Sequence, residues 1–178
     1  MKLTGKNYVA GKLSFKGDVT YKTFNPNLNI ENTVKFYQAN PEEIENAIDL
    51  AFNAFKVYQK ISDEKKAIFL DEIANQIDNL GEQLINLYTE ESGLPIGRAE
   101  NEKNRTVNQI KLFANLLREK NWKENYIDYA DLTRKPLPNP EIFKTYFPIG
   151  PVVVFTPSNF PLAFSTAGSD TISAFAAG

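Results

Sequence analysis

Residues 147–162 read Phe147-Pro148-Ile149-Gly150-Pro151-Val152-Val153-Val154-Phe155-Thr156-Pro157-Ser158-Asn159-Phe160-Pro161-Leu162. Pro151 to Phe155 is a continuous apolar run, the pattern of a strand buried on both faces of a parallel sheet. Thr156 to Pro161 reads as a turn. The small-residue stretch from Leu162 through Ala163, Ala167, Gly168, Ile172, Ala174 and Phe175 to Gly178 carries one charge, Asp170, and reads as a helix buried between layers. Strand, turn and buried helix make the first half of a βαβ unit, so the fold class is α/β. A parallel strand needs a neighbour reached by a crossover. The sequence is therefore expected to be the N-terminal part of a longer α/β protein, cut inside this unit.

Working upstream, Tyr126 to Asp131 and Ile142 to Phe147 alternate with period two around a bend holding Pro136, Pro138 and Pro140. Prolines cannot feed a sheet ladder, so this segment is expected to be a hairpin arm and not a central sheet. Between residues 40 and 118 the apolar period is helical. Asn40-Pro41-Glu42-Glu43 is an N-cap, a first-turn proline and two acids at the positive helix end. The face that follows is Ile44, Ala47, Ile48, Ala51, Phe52 and Phe55. Ser62-Asp63-Glu64 opens a second helix with the face Ala67, Leu70, Ile73, Ala74, Ile77 and Leu80, closed by Gly81. A third carries Leu84, Ile85, Leu87 and Tyr88. A fourth starts at Pro95, carries Val107, Ile110, Phe113, Ala114 and Leu117, and fades in the polar run Arg118 to Asn125. Residues 7–39 read as short strands: Tyr8-Val9 and Leu13 to Phe15 about Ala10-Gly11, Val19 to Tyr21, and Thr33 to Ala39, with a turn at Asn25-Pro26-Asn27.

The composition narrows the chemistry. The chain has 178 residues, 20 Lys+Arg against 22 Asp+Glu, and neither cysteine nor histidine. A net charge of −2 gives no general field for nucleic acid or an anionic membrane surface. Zero cysteine excludes a thiol nucleophile, a disulfide framework and a zinc ribbon within these residues. Zero histidine excludes a Ser-His-Asp triad and an H-E-x-x-H metal helix, and no metal site is expected. The N-terminal MKLTGKNYVAGKL has no apolar core of a signal peptide, and a soluble cytoplasmic protein is the expectation.

The turn is where chemistry is expected. It lies at the carboxyl edge of the strand, where open α/β sheets bind ligands, and a helix beginning near Pro161 would aim free N–H groups at the same crevice. Asn159 offers a neutral amide that can hold a developing oxyanion. The alternative is that Asn159 simply caps the helix. Arg98, Arg105 and Gln109, seven and four apart, share one helix face. That face either reaches the site and holds a distal carboxylate or is an ordinary surface.

The 147–162 run resembles the aldehyde dehydrogenase superfamily segment P-x-G-V-x-x-x-x-x-P-W-N-F-P. Glu91-Ser92-Gly93-Leu94-Pro95 is similar to the family's E-x-G-K-P stretch, with Leu94 in place of lysine. Ser158 departs from the usual tryptophan and Pro151 from the usual valine. Ser158 to Ser165, Gly168 to Thr171 and Ala176 to Gly178, with Glu100, Arg105-Thr106, Gln109 and Phe113-Ala114, resemble the α-ketoglutaric semialdehyde (2,5-dioxovalerate) dehydrogenase branch. The resemblance covers essentially the whole chain but only the first part of the family's polypeptide.

It implies the N-terminal portion of the aldehyde dehydrogenase fold. Residues 1–124 would be strands and helices of the Rossmann-like cofactor domain, 125–147 the hairpin arm of the oligomerisation domain, and 148–178 the first, truncated strand-turn-helix of the core. It implies oxidation of an aldehyde, such as α-ketoglutaric semialdehyde, to a carboxylate through a cysteine thioester, with hydride passing to NAD or NADP. Asn159 would be the side-chain donor of the oxyanion hole. Phe155, Thr156, Pro157 and Ser158 would line the cofactor, and Phe160 and Phe164 would wall the substrate tunnel. Without the family those two phenylalanines read as ordinary core. Arg105 is the candidate for the distal carboxylate. The cysteine, a deacylating glutamate and the cofactor lysine would lie past Gly178, so the isolated chain is expected to be inactive. The full enzyme would be a homodimer or homotetramer with a small-molecule aldehyde substrate and no nucleic-acid or membrane partner. The competing reading is a non-catalytic interaction or structural module.

Overall fold

In a computed structural model that describes residues 3–119 and 122–178, the strands form hairpins at the periphery and the helices form the core. β1 (Asn7–Val9) pairs with β2 (Lys12–Ser14) across Ala10 and Gly11, with φ of 48° and 76°. Two consecutive positive φ values suit a tight hairpin turn. β3 (Thr20–Asn25) pairs antiparallel with β4 (Ile30–Tyr37). The Asn25 side-chain carbonyl accepts from the N–H groups of Asn27 and Leu28, an Asx turn that closes this hairpin. The expected turn at Asn25 thus lies at the last residue of β3, and β4 begins at Ile30, ahead of Thr33.

α1 (Pro41–Tyr58) opens as its sequence dictates. The Asn40 side chain accepts from the Glu43 N–H at 2.9 Å, and the Glu43 carboxylate reaches back to the Asn40 N–H. Glu43 is only 2% exposed and also accepts from the Ser14 hydroxyl, which ties β2 to the start of α1. α2 (Asp63–Asn79) is capped by Ser62. Gly81 has a φ of 51° and is at once the end of α2 and the first residue of α3 (Gly81–Ser92). Gly93 ends α3 at a φ of 68°, and a Cβ there would meet the Pro26 ring at 2.6 Å. Glycine is required at 93 by both backbone and space.

α4 (Ile96–Arg118) lies across α2 and α5 (Ser169–Ala177). Ala67, Leu70 and Ala74 meet Val107, Ile110, Ala114 and Leu117, and Ile172 and Ala176 complete the cluster. These are positions that the three- and four-residue spacing puts on one face of each helix. A second cluster, Ile85, Tyr88 and Ala99 with Leu94 and Leu162 packed on it, sits under the α3–α4 corner. The arm is a hairpin of β5 (Tyr126–Asp128) and β6 (Ile142–Lys144), extended by mutual bonds between Asp131 and Asn139. No described helix is long and apolar enough to cross a membrane.

Two expectations need correction. Pro151 to Phe155 is not a buried strand: it pairs with no strand among the described residues, and Val153 and Phe155 are 72% and 89% exposed. The helix expected from Leu162 starts only at Ser169, because residues 158–168 form successive turns. The α1 face is also left open, with Ile44, Ile48 and Phe52 exposed. Periodicity identifies an apolar face but not what covers it. Lys120 and Asn121, within the polar run after α4, and Met1 and Lys2 at the N-terminus lie outside the described residues.

Replacing Asn40 by alanine removes the cap and should lower unfolding stability by about 1 kcal/mol, read from denaturant midpoints. The Ser14 hydroxyl holds the Glu43 carboxyl below its usual value of 4.5. Its contribution is therefore complete above pH 4.5 and is lost as the pH falls through the lower folded value. Stability followed below pH 4.5 should fall more steeply for the native sequence than for Glu43→Gln; identical acid limbs would refute the assignment.

Candidate functional site

The site is built on one face of α4, where residues four, three and four apart stack above one another: Arg98, Glu102, Arg105 and Gln109. Glu102 is 4% exposed. Its Oε1 accepts from the N–H groups of Leu162 and Ala163 at 2.8 and 3.0 Å, and its Oε2 accepts from the Tyr88 hydroxyl at 2.7 Å. A carboxylate this deep is tolerable only when its oxygens are hydrogen-bonded, and each of these is. Burial and then the Glu102 carboxylate raise the Tyr88 phenol above its ordinary range, while Arg98 acts in the opposite sense. Tyr88 therefore stays a protonated donor.

Arg98 holds the same turn from its other side, with Nη2 donating to the Asn159 carbonyl at 2.6 Å. The turn is thus gripped at 159 by a donor and at 162–163 by an acceptor, both from α4. Inside the turn, Phe164 N–H donates to the Phe160 carbonyl and Ser165 N–H to the Leu162 carbonyl, each at 3.3 Å, while the Ser165 hydroxyl donates to the Leu162 carbonyl at 2.9 Å and the Gly168 and Ser169 N–H groups donate to the Ser165 and Ala163 carbonyls at 2.8 and 2.9 Å. Two sequence readings are corrected here. Asn159 caps no helix, because none starts there; its side-chain amide is exposed and has no hydrogen-bond partner among the described residues. The Leu162 and Ala163 N–H groups, expected to face the crevice, are taken by Glu102.

Phe160 and Phe164 meet edge to face, ring centres 5.6 Å apart and planes at 81°. Arg98 lies 5.3 Å above Phe160, and Arg105 lies 5.4 and 5.3 Å from Phe160 and Phe164. These are cation–π distances. Arg105 is exposed and forms no ion pair among the described residues. It shares a small cavity of about 180 Å³ with Gln109, Phe164 and Ser169. The aromatic pair, Arg105 and Gln109 are therefore brought together.

On the other side of the turn, a cleft of about 990 Å³ is lined by Thr156, Pro157, Ser158 and Asn159, with Arg98 and Thr23 opposite. Phe155 lines neither space and is exposed. The described residues contain no group of three acidic, histidine or cysteine side chains able to hold a metal.

Glu102 was not legible as a site residue. Within Ala99-Glu100-Asn101-Glu102-Lys103-Asn104-Arg105 it looks like any solvated helix acid. The available signal was its register, four after Arg98 and three before Arg105.

The profile of the aldehyde dehydrogenase family matches residues 15–178. The α-ketoglutaric semialdehyde dehydrogenase of Acinetobacter baylyi is 41% identical over 98% of this chain and 33% of its own length. The α-ketoglutaric semialdehyde dehydrogenase 2 of Azospirillum brasilense is 40% identical over 100% of this chain and 34% of its own. Among solved structures, aldehyde dehydrogenase 21 from Physcomitrella patens, in complex with the reaction product succinate, superposes with a TM-score of 0.82 at 26% identity, covering 97% of this chain and 34% of that one. Betaine aldehyde dehydrogenase from Staphylococcus aureus gives 0.84 at 23% identity, over 99% and 34%, a likeness of fold alone. The chain spans about a third of the length of the curated relatives it matches.

Proposed function

The chain belongs to the aldehyde dehydrogenase family, and from that premise we propose that it supplies the oxyanion-holding part of an NAD(P)-dependent dehydrogenase that oxidises a semialdehyde to a carboxylate. The observation that carries this reading is the Asn159 side-chain amide: exposed, without an internal partner, and fixed through its own main chain by α4. A neutral amide donor aimed into a cleft stabilises an oxyanion without titrating. With no cysteine in these residues, the thiolate that attacks the aldehyde carbonyl comes from outside them, and Asn159 Nδ2 donates to the oxygen as it gains charge.

Residues 155–158 fit the nicotinamide cofactor. They are exposed, no hydrogen bond with another described residue engages their backbone, and Thr156 to Ser158 border the cleft that contains Asn159. Phe155, Thr156, Pro157 and Ser158 would hold it by main chain and packing. NAD or NADP, when bound, supplies the hydride acceptor. Phe160 and Phe164 form the apolar wall for the aldehyde chain, and Arg105, with Gln109 beside it, takes the distal carboxylate. The names of the A. baylyi and A. brasilense relatives favour α-ketoglutaric semialdehyde. We assign residues 1–124 and 148–178 to the cofactor domain and 125–147 to the oligomerisation arm of a soluble cytoplasmic homodimer or homotetramer. The competing reading as a non-catalytic interaction module is favoured by the exposed apolar residues Phe147 to Phe155. A cysteine-bearing continuation of the reading frame with dehydrogenase activity would exclude it.

In the intact dehydrogenase, Asn159→Ala should lower kcat by about 10²–10³-fold with cofactor affinity little changed; an unaltered kcat would refute the oxyanion role. Arg105→Ala should raise KM for α-ketoglutaric semialdehyde by about tenfold or more, the loss of a charge-assisted hydrogen bond, and change KM for an uncharged aldehyde much less. Equal effects on the two substrates would refute the carboxylate role.

A further inference from the structure

The geometry points to Glu102 as the positioning residue for Asn159, an inference that rests on the oxyanion role proposed above. Asn159 lies at the start of a turn whose short internal bonds, 2.8 to 2.9 Å, join residues 162 to 169; ahead of Leu162 the internal bond among the described residues is from Phe164 N–H to the Phe160 carbonyl at 3.3 Å. What ties the turn to α4 is the pair of bonds, 2.8 and 3.0 Å, from Leu162 and Ala163 N–H to one carboxylate oxygen. The carboxylate is itself held at both oxygens. It is buried to 4% exposure, its second oxygen is held by Tyr88, and its helix is locked into the main core by Val107 and Ile110. Ala163, at the gripped end, is also buried.

Arg98 holds the Asn159 carbonyl, but from an exposed side chain. Glu102 is therefore the rigid point of the pair. Only Phe160 and Pro161 separate Asn159 from Leu162, so releasing that point lets the amide drift relative to the reacting carbonyl. Displacements on the order of 1 Å in such sites cost about 10²-fold in rate. Glu102 itself lines neither the proposed substrate space nor the cleft, so its loss acts through the turn it holds, on Asn159 on one side and on Ala163 and Phe164 on the other.

The test is a mutant cycle in the intact dehydrogenase. Glu102→Ala should lower kcat on the order of 10²-fold while cofactor affinity stays within about twofold. Glu102→Gln keeps an oxygen acceptor of the same reach and should recover most of that loss. If the alanine variant does not fold, Glu102→Asp, which withdraws the carboxylate by one methylene, takes its place. In an Asn159→Ala background, either substitution should cost little more. An unchanged kcat in Glu102→Ala or Glu102→Asp, a glutamine variant as impaired as the alanine, or the same fold-loss with and without Asn159 would overturn the proposal. Amide exchange in the 178-residue chain separates this from a failure of the oxyanion reading. Leu162 and Ala163 should be protected in the native sequence and exposed in Glu102→Ala, and fast exchange of both in the native sequence would overturn the proposal whatever Asn159 does.

Discussion

One buried carboxylate connects the parts of this molecule that matter for chemistry. Glu102 joins α3 through Tyr88 to the turn through Leu162 and Ala163, and it does so from the first third of α4, the longest helix among the described residues. Leaving such a charge unpaired in an apolar surrounding costs several kcal/mol. The three donors must therefore arrive together, which anchors the turn to α4 at Leu162 and Ala163. Arg98 and the aromatic pair extend the same logic outward. Each contact from α4 onto residues 159–164 fixes main chain or ring planes and leaves the Asn159 side-chain amide uncommitted.

The rest of the fold divides into what covers itself and what does not. α2, α4 and α5 bury a shared face of alanine and branched aliphatic residues, and this core is the rigid base from which α4 presents its opposite side. The hairpins are peripheral. Several large apolar side chains, Ile48 and Phe52 on α1 and Phe147, Ile149, Val153 and Phe155 before the turn, remain in solvent. Residues of that kind are ordinarily strand or helix interior, and the chain spans about a third of the length of its curated relatives.

Much of this was legible in the residues. The capping box at Asn40 and Glu43, the Ser62 cap, the faces of α2 and α4 and the hairpin around the three prolines follow from local stereochemistry, which the sequence states directly. The turn motif Thr156 to Pro161 follows from residue order, and the shared face of Arg98, Arg105 and Gln109 from helical register; that this face meets Phe160 and Phe164 is a tertiary contact the sequence left open. The failures share a cause: burial is decided by partners, not by composition. Val152 to Phe155 has the composition of an interior strand but no neighbouring strand. Leu162 to Gly168 has a helical composition but folds as successive turns, with α5 opening only after Gly168. Glu102 itself has the composition of a surface acid and is buried because three donors from elsewhere converge on it.

The central claim is that α4 holds the Asn159 amide ready for a developing oxyanion. A crystal structure of the intact dehydrogenase trapped as a covalent acyl adduct tests it most directly. The account predicts Asn159 Nδ2 within about 2.7–3.1 Å of the adduct's carbonyl oxygen, with the Glu102 bonds to Leu162 and Ala163 intact. An Asn159 amide turned away from that oxygen, or bonded to the protein in its place, would contradict it.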